Sequence, residues 1–108
     1  MVLLLSSFMD KGLLMDKGPL LNFYPNPIVN NLNVEVQIET NNPFEKIEIK
    51  VVNLLGQEII PSVSKSINSL KQAFQFDLSG IPAGIYFVEV YSYHNNAVVK
   101  QTRKITKN

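Results

Sequence analysis

Few residues in this chain could do chemistry, and their spacing argues against most of it. His94 is the single histidine and sits in His94-Asn95-Asn96 with few carboxylates near it in sequence. A metal site needs convergent ligands, so this imidazole reads as a solvated turn residue. Glu35, Glu48 and Glu89 fall at outward positions of alternating segments, where nothing tunes them toward acid–base work. Ser62, Ser64 and Ser66 have no base partner except that one histidine. Gly80 and Gly84 are too isolated to cradle a phosphate and read as turn glycines. The chain has no cysteine, which excludes disulfide scaffolds, thiolate zinc sites and thiol catalysis. No set of residues fills the roles of nucleophile, base and oxyanion donor. The expectation is a non-enzyme without catalytic residues, cofactor or metal.

The elements that would position any functional residue are short. At 108 residues and 12.2 kDa, with 45% hydrophobic and 18% charged residues, the chain is one globular domain's worth of sequence. A formal charge of +1 argues against a nucleic-acid partner. The charge is uneven, however. Residues 100–108 hold Lys100, Arg103, Lys104 and Lys107 and no acidic side chain, so the preceding body is net acidic.

From Leu21 onward the hydrophobic period is two. Leu32 to Glu39 alternates without a break, and Glu45 to Val52 does the same. Glu58-Ile59-Ile60 predicts a short strand closed by Pro61, and residues 62–71 a polar connection. Gln72 to Leu78, Ile85 to Tyr93 and Ala97 to Ile105 complete the set, with a first short strand at Leu21–Tyr24. Asn53-Leu54-Leu55-Gly56-Gln57, Ser79 to Gly84 and His94-Asn95-Asn96 supply turns. About seven strands at this spacing predict an all-β, immunoglobulin-like antiparallel β-sandwich. Leu32, Val34, Val36, Ile38, Ile47, Ile49, Val51, Phe74, Phe76, Tyr86, Val88 and Val90 share the inward phase. Tyr86 stands where such sandwiches cap a corner through a tyrosine hydroxyl, and Val88 where antibody domains carry a cysteine.

Two features resist a purely structural reading. With Tyr86, Val88 and Val90 inward, Phe87, Tyr91 and Tyr93 fall on the outer face, and exposed aromatics on a sheet mark a candidate interface unless a loop or residues 1–20 cover them. The last strand alternates poorly, which predicts weak pairing with its own sheet, and its lysines suit an edge. Such an edge is open to another chain, including a second copy in a homodimer.

Tyr24-Pro25-Asn26-Pro27, Asn53-Leu54-Leu55-Gly56-Gln57, the run Leu78 to Val88 and the basic last strand, in that order, resemble the type A C-terminal sorting domain of the type IX secretion system of Gram-negative bacteria. The resemblance covers about residues 22–108. The family's Pro-x-Gly is matched by Pro82-Ala83-Gly84, its Gly-x-Tyr by Gly84-Ile85-Tyr86, and its terminal Lys-x-x-x-Lys by Lys100 and Lys104. The resemblance implies a seven-stranded sandwich fused behind a cargo, a secreted enzyme or adhesin. It also implies recognition by the outer-membrane translocon after passage through the periplasm, and removal by a sortase-like surface peptidase. The cargo then reaches the outer membrane and cell surface or is secreted. On this reading Lys100, Arg103, Lys104, Lys107, Pro82, Gly84 and Tyr86 are the candidate recognition residues. The competing expectation is a small adhesive module whose aromatic face binds carbohydrate or a protein partner.

The first twenty residues break from this pattern. Met1 to Met9 is apolar but far shorter than the roughly 20 residues a bilayer span needs, and it lacks a signal peptide's basic start and cleavage site. A near-repeat follows, Met9-Asp10-Lys11-Gly12-Leu13-Leu14 and Met15-Asp16-Lys17-Gly18-Pro19-Leu20-Leu21. The division expected is a leader, upstream remnant or linker over 1–20 and the sorting-signal sandwich over 21–108.

Overall fold

A computed structural model describes residues 18–25, 27–38 and 44–108. These form seven strands and no helix: β1 Leu20–Tyr24, β2 Asn31–Gln37, β3 Lys46–Val52, β4 Val63–Ser66, β5 Lys71–Asp77, β6 Gly84–His94 and β7 Ala97–Lys107. One sheet has the order β1-β2-β5 and the other β4-β3-β6-β7, every pairing antiparallel. The two sheets face each other across a single apolar core, which is the expected sandwich.

The core follows from the period of two. All twelve residues expected to point inward are buried. The register sets Val34 opposite Phe74, Ile49 opposite Val90 and Val51 opposite Val88, so a slip of one residue would turn each apolar row to water. Ile28, Leu78 and Ile105 join the same core from loop and strand-end positions.

The fourth strand lies elsewhere than the sequence suggests. Glu58–Ile60 makes only an isolated bridge between Val52 and Glu58, while Ile59 and Ile60 pack against the core. The strand is Val63–Ser66, inside the stretch expected to be a polar connection, where it pairs with β3. Pro61 has no N–H to extend the ladder beyond Ile60. A four-residue edge strand needs few apolar side chains, and here Val63 alone faces the core, so alternation could not reveal it.

β7 also departs from expectation. Its alternation is weak, yet it pairs with β6 along all eleven residues, from Gly84–Lys107 to His94–Ala97. Backbone hydrogen bonds set by a two-residue turn hold it, rather than side-chain burial. Asn95 supplies the positive φ of 52° that this turn requires.

The two ends of the sandwich differ. The chain enters β1 beside Gln37, at the same end as Lys71. The opposite end collects Ile28, the Asn53–Gln57 turn, the Leu78–Gly84 turn and the last residues of β7, because Ile28 bridges Lys107, Gly84 pairs with Lys107 and Val52 pairs with Phe87.

Candidate recognition surface

β7 is an edge strand, and its outward side is built from alternate residues. Ile28 donates to the Thr106 carbonyl (2.9 Å) and accepts from the Asn108 amide (2.8 Å), so the backbone of residues 106 and 108 points away from β6. In an antiparallel ladder without a bulge the alternation carries back along the strand. Val98, Lys100, Thr102 and Lys104 therefore turn both N–H and C=O outward. Ile28 closes the far end of this edge. From Val98 to Lys104 no backbone partner lies on it among the described residues.

The same four residues carry exposed side chains on the sheet's outer face. Lys100 sits 3.3 Å from Glu89, and this hydrogen bond and charge raise its pKa. Lys104 is exposed opposite Phe87. Arg103 is exposed on the opposite face and donates to the Thr102 carbonyl.

Lys107 does not belong to this exposed set. It falls in phase with buried Ile105, its residue is 8% exposed, and its Nζ donates to the Ile81 carbonyl at 2.9 Å. The sequence reading ends the strand at Ile105 and so does not carry its alternation on to Lys107. The physical reason is strand phase: two residues on from Ile105 in the same unbroken ladder, Lys107 faces inward, and its stem carries the ammonium to the Ile81 carbonyl of the Leu78–Gly84 turn.

That turn is held at successive carbonyls. Tyr86 is buried and donates its hydroxyl to the Pro82 carbonyl at 2.6 Å, the corner anticipated from its place in the sixth strand. Pro82 itself is exposed. Gly84 has φ of 153°, a backbone region that a side chain disfavours. At the turn's entry the Asp77 carboxylate accepts from the Ser79 hydroxyl (2.6 Å) and amide (2.9 Å), which lowers the Asp77 pKa.

The outer aromatic row is a tied-down layer rather than a bare patch. Phe87, Tyr91 and Tyr93 are half-buried. Tyr93 donates to Glu48 (2.8 Å) and Tyr91 to Glu89 (2.9 Å). Lys46 lies over the Tyr93 ring, and Lys50 and Lys100 lie over that of Tyr91. Lysine ammonium groups, not a loop, provide this cover among the described residues. The hydrogen bond to Glu48 raises the pKa of Tyr93, and desolvation followed by the Glu89 bond raises that of Tyr91. Cross-strand register joins this row to the edge, with Tyr91 beside Lys100 and Phe87 beside Lys104.

Sequence reading missed Ile28 at this end, whose bridge to β7 depends on a chain path that no periodicity reveals. The expected turn over Asn53–Gln57 is organised by Asn53, whose Oδ1 accepts from the Leu55 and Gln57 amides and so holds Leu54 and Leu55 out at 68% and 83% exposure. An Asn two residues ahead of a bonded amide is a legible signal for this turn. The groups weighed for chemistry stay apart: His94 lies 3.7 Å from Glu45 and 3.4 Å from the Asn95 amide, and no group of three or more His, Cys, Asp or Glu side chains suited to a metal occurs among the described residues.

Against known proteins, residues 22–107 match the family described as the secretion system C-terminal sorting domain. No curated protein matches the chain. Among solved structures, part of an endo-beta-1,4-mannanase from Thermotoga petrophila superposes with a TM-score of 0.58 at 20% identity, covering 85% of this chain. This chain spans only 20% of the mannanase, and at that identity the likeness shows the fold alone.

Proposed function

Since the chain belongs to the secretion system C-terminal sorting domain family, we propose that it directs a fused upstream cargo through the type IX outer-membrane translocon, with β7 as the element the translocon reads. The observation that carries this reading is the open edge from Val98 to Lys104. There, backbone groups without a partner among the described residues and the Lys100 and Lys104 side chains belong to the same residues. A partner strand adds to such an edge through main-chain hydrogen bonds, and acidic groups on it meet the lysines. Gly84 and Tyr86 hold the neighbouring strand and corner in place. Membership implies export to the outer membrane or cell surface. Passage through the periplasm and later removal by a sortase-like surface peptidase complete the proposal.

The cargo side is the opposite end. Residues 1–17, outside the described residues, would connect cargo to sandwich through Gly18 and Pro19, and the Pro19 carbonyl is held by Gln101 at 3.0 Å. The same open edge could instead accept a second copy of this chain, which light scattering across the micromolar range would register as a mass that rises with concentration. The carbohydrate reading is disfavoured, because the tyrosine hydroxyls are already bonded to Glu48 and Glu89 and lysines lie over the rings.

The test is a periplasmic reporter fused ahead of residues 18–108 in a bacterium with this secretion system. The fusion is expected at the cell surface or in the medium. Replacing both Lys100 and Lys104 with Ala costs the fold about 0–1 kcal/mol and is expected to leave the reporter in the periplasm. Normal export by the folded double variant would make these lysines edge protection only.

A further inference from the structure

Lys107 is a buried cation that edge recognition does not use. Its ammonium reaches the Ile81 carbonyl while the Tyr86 hydroxyl reaches the next carbonyl, Pro82. One residue beyond Lys107, the Asn108 amide bonds the Ile28 carbonyl, and one residue before it the Thr106 carbonyl accepts from Ile28. Three consecutive terminal residues thus tie together the segment following Tyr24, the Leu78–Gly84 turn and the end of β7. Taking an ammonium out of water is unfavourable unless it is bonded, so its placement here depends on that carbonyl. The turn depends on it in return: among the described residues its one internal backbone bond, Ile81 amide to Leu78 carbonyl at 3.2 Å, is at the long end of the usual range.

We infer that Lys107 is a positioning residue, a latch that assembles the end of the sandwich carrying Ile28, the Leu78–Gly84 turn and the terminus of β7, so that the partner reads a folded surface rather than a linear tail. This rests on the sorting-signal reading. The partner's contact is then to the turn and the terminal strand held in one arrangement, and a lysine that never meets the partner is still needed for export.

The experiment compares three variants in the reporter fusion. Lys107→Met keeps the stem and removes the donor. Lys107→Arg keeps a donor. Lys65→Met removes a lysine bond of the same kind and length, Lys65 Nζ to the Ala73 carbonyl at 2.9 Å, on the opposite side of the sandwich. By amide hydrogen exchange, K107M is expected to reduce protection of the Ile81 amide about tenfold, the effect of losing one bond from a charged donor. Its export is expected to fall several-fold, K107R to restore most of it, and K65M to export as the parent does. Unchanged export or unchanged Ile81 protection in K107M, or an equal export loss in K65M, would overturn the latch. If K107M does not fold, Tyr86→Phe decides, since it frees the same turn at Pro82: lost export from a folded Y86F supports the latch and normal export refutes it. Failure of the parent fusion to export would instead sink the sorting-signal reading itself.

Discussion

The two edges of the four-stranded sheet are treated in opposite ways. β4 is four residues long and stitched to the facing sheet: Lys65 bonds the Ala73 carbonyl and Gln72 bonds the Ser66 carbonyl at 3.1 Å. β7 is eleven residues long, and among the described residues its backbone edge stands open from Val98 to Lys104; Ile28 closes the far end, and the Gln101 side chain, mid-strand on the inner face, holds Pro19. A sandwich this small gains by closing its edges, because open ones invite aggregation. One edge closed and the other left long, with lysines as its only guard, separates what serves the fold from what is available to a partner.

The sharpest way to break that contrast is proline, which removes a single N–H. Arg103 pairs with Val88 and its amide points into the ladder, whereas the Thr102 amide points out. Arg103→Pro is expected to cost of the order of 2–3 kcal/mol and to lower the thermal midpoint by about 10 °C or more. If Thr102→Pro destabilises as much as Arg103→Pro, the assignment of the open side is wrong. A smaller loss is expected at the corner: Tyr86→Phe removes the bond to Pro82 and costs about 1–2 kcal/mol, measurable by denaturant unfolding.

Smaller still is the effect of the upstream segment. Starting the chain at Gly18 is expected to move the midpoint by no more than about 1 kcal/mol's worth, since the Pro19–Gln101 bond and β1 remain. Starting it at Leu21 removes that bond and the Leu20–Gln37 pair and should cost measurably more. The smallest effect is alkaline. Tyr91 and Tyr93 have folded pKa values raised above 10.0, so their contribution is complete below the unfolded value and is lost as pH rises through the higher folded one. Unfolding titrations should show a decline above about pH 10 that Tyr91→Phe and Tyr93→Phe together reduce, the remainder belonging to Lys100 and Tyr24, whose pKa values are also raised. A decline undiminished in the double variant would place its origin elsewhere.

The sequence was legible where side chains carry the pattern. Leu32 to Ile38 and Ile85 to Val90 declare strand, phase and core through alternation alone, and Tyr86 declares its corner. It was illegible where backbone does the holding. β4 has one inward apolar side chain, β7 is kept by its ladder, and Ile28 reaches β7 through two main-chain bonds. Of the candidate residues, Lys100, Lys104 and Arg103 are exposed on the edge as expected, while Lys107 turns inward, because β7 runs on past Ile105 and the alternation puts both on one face. Phe87, Tyr91 and Tyr93 lie on the outer face as expected, but bonded to carboxylates and covered by lysines.

The measurement that bears most directly on the open edge as the element the translocon reads is export of a reporter fused to the Thr102→Pro domain. The substitution leaves the bonds to β6 in place and removes one outward N–H while blocking strand addition, and it is expected to shift stability by about 1 kcal/mol or less. The account predicts a folded domain, with a thermal midpoint within a few degrees of the parent, whose reporter stays in the periplasm. A folded Thr102→Pro domain that exports its reporter at the parent rate would contradict it.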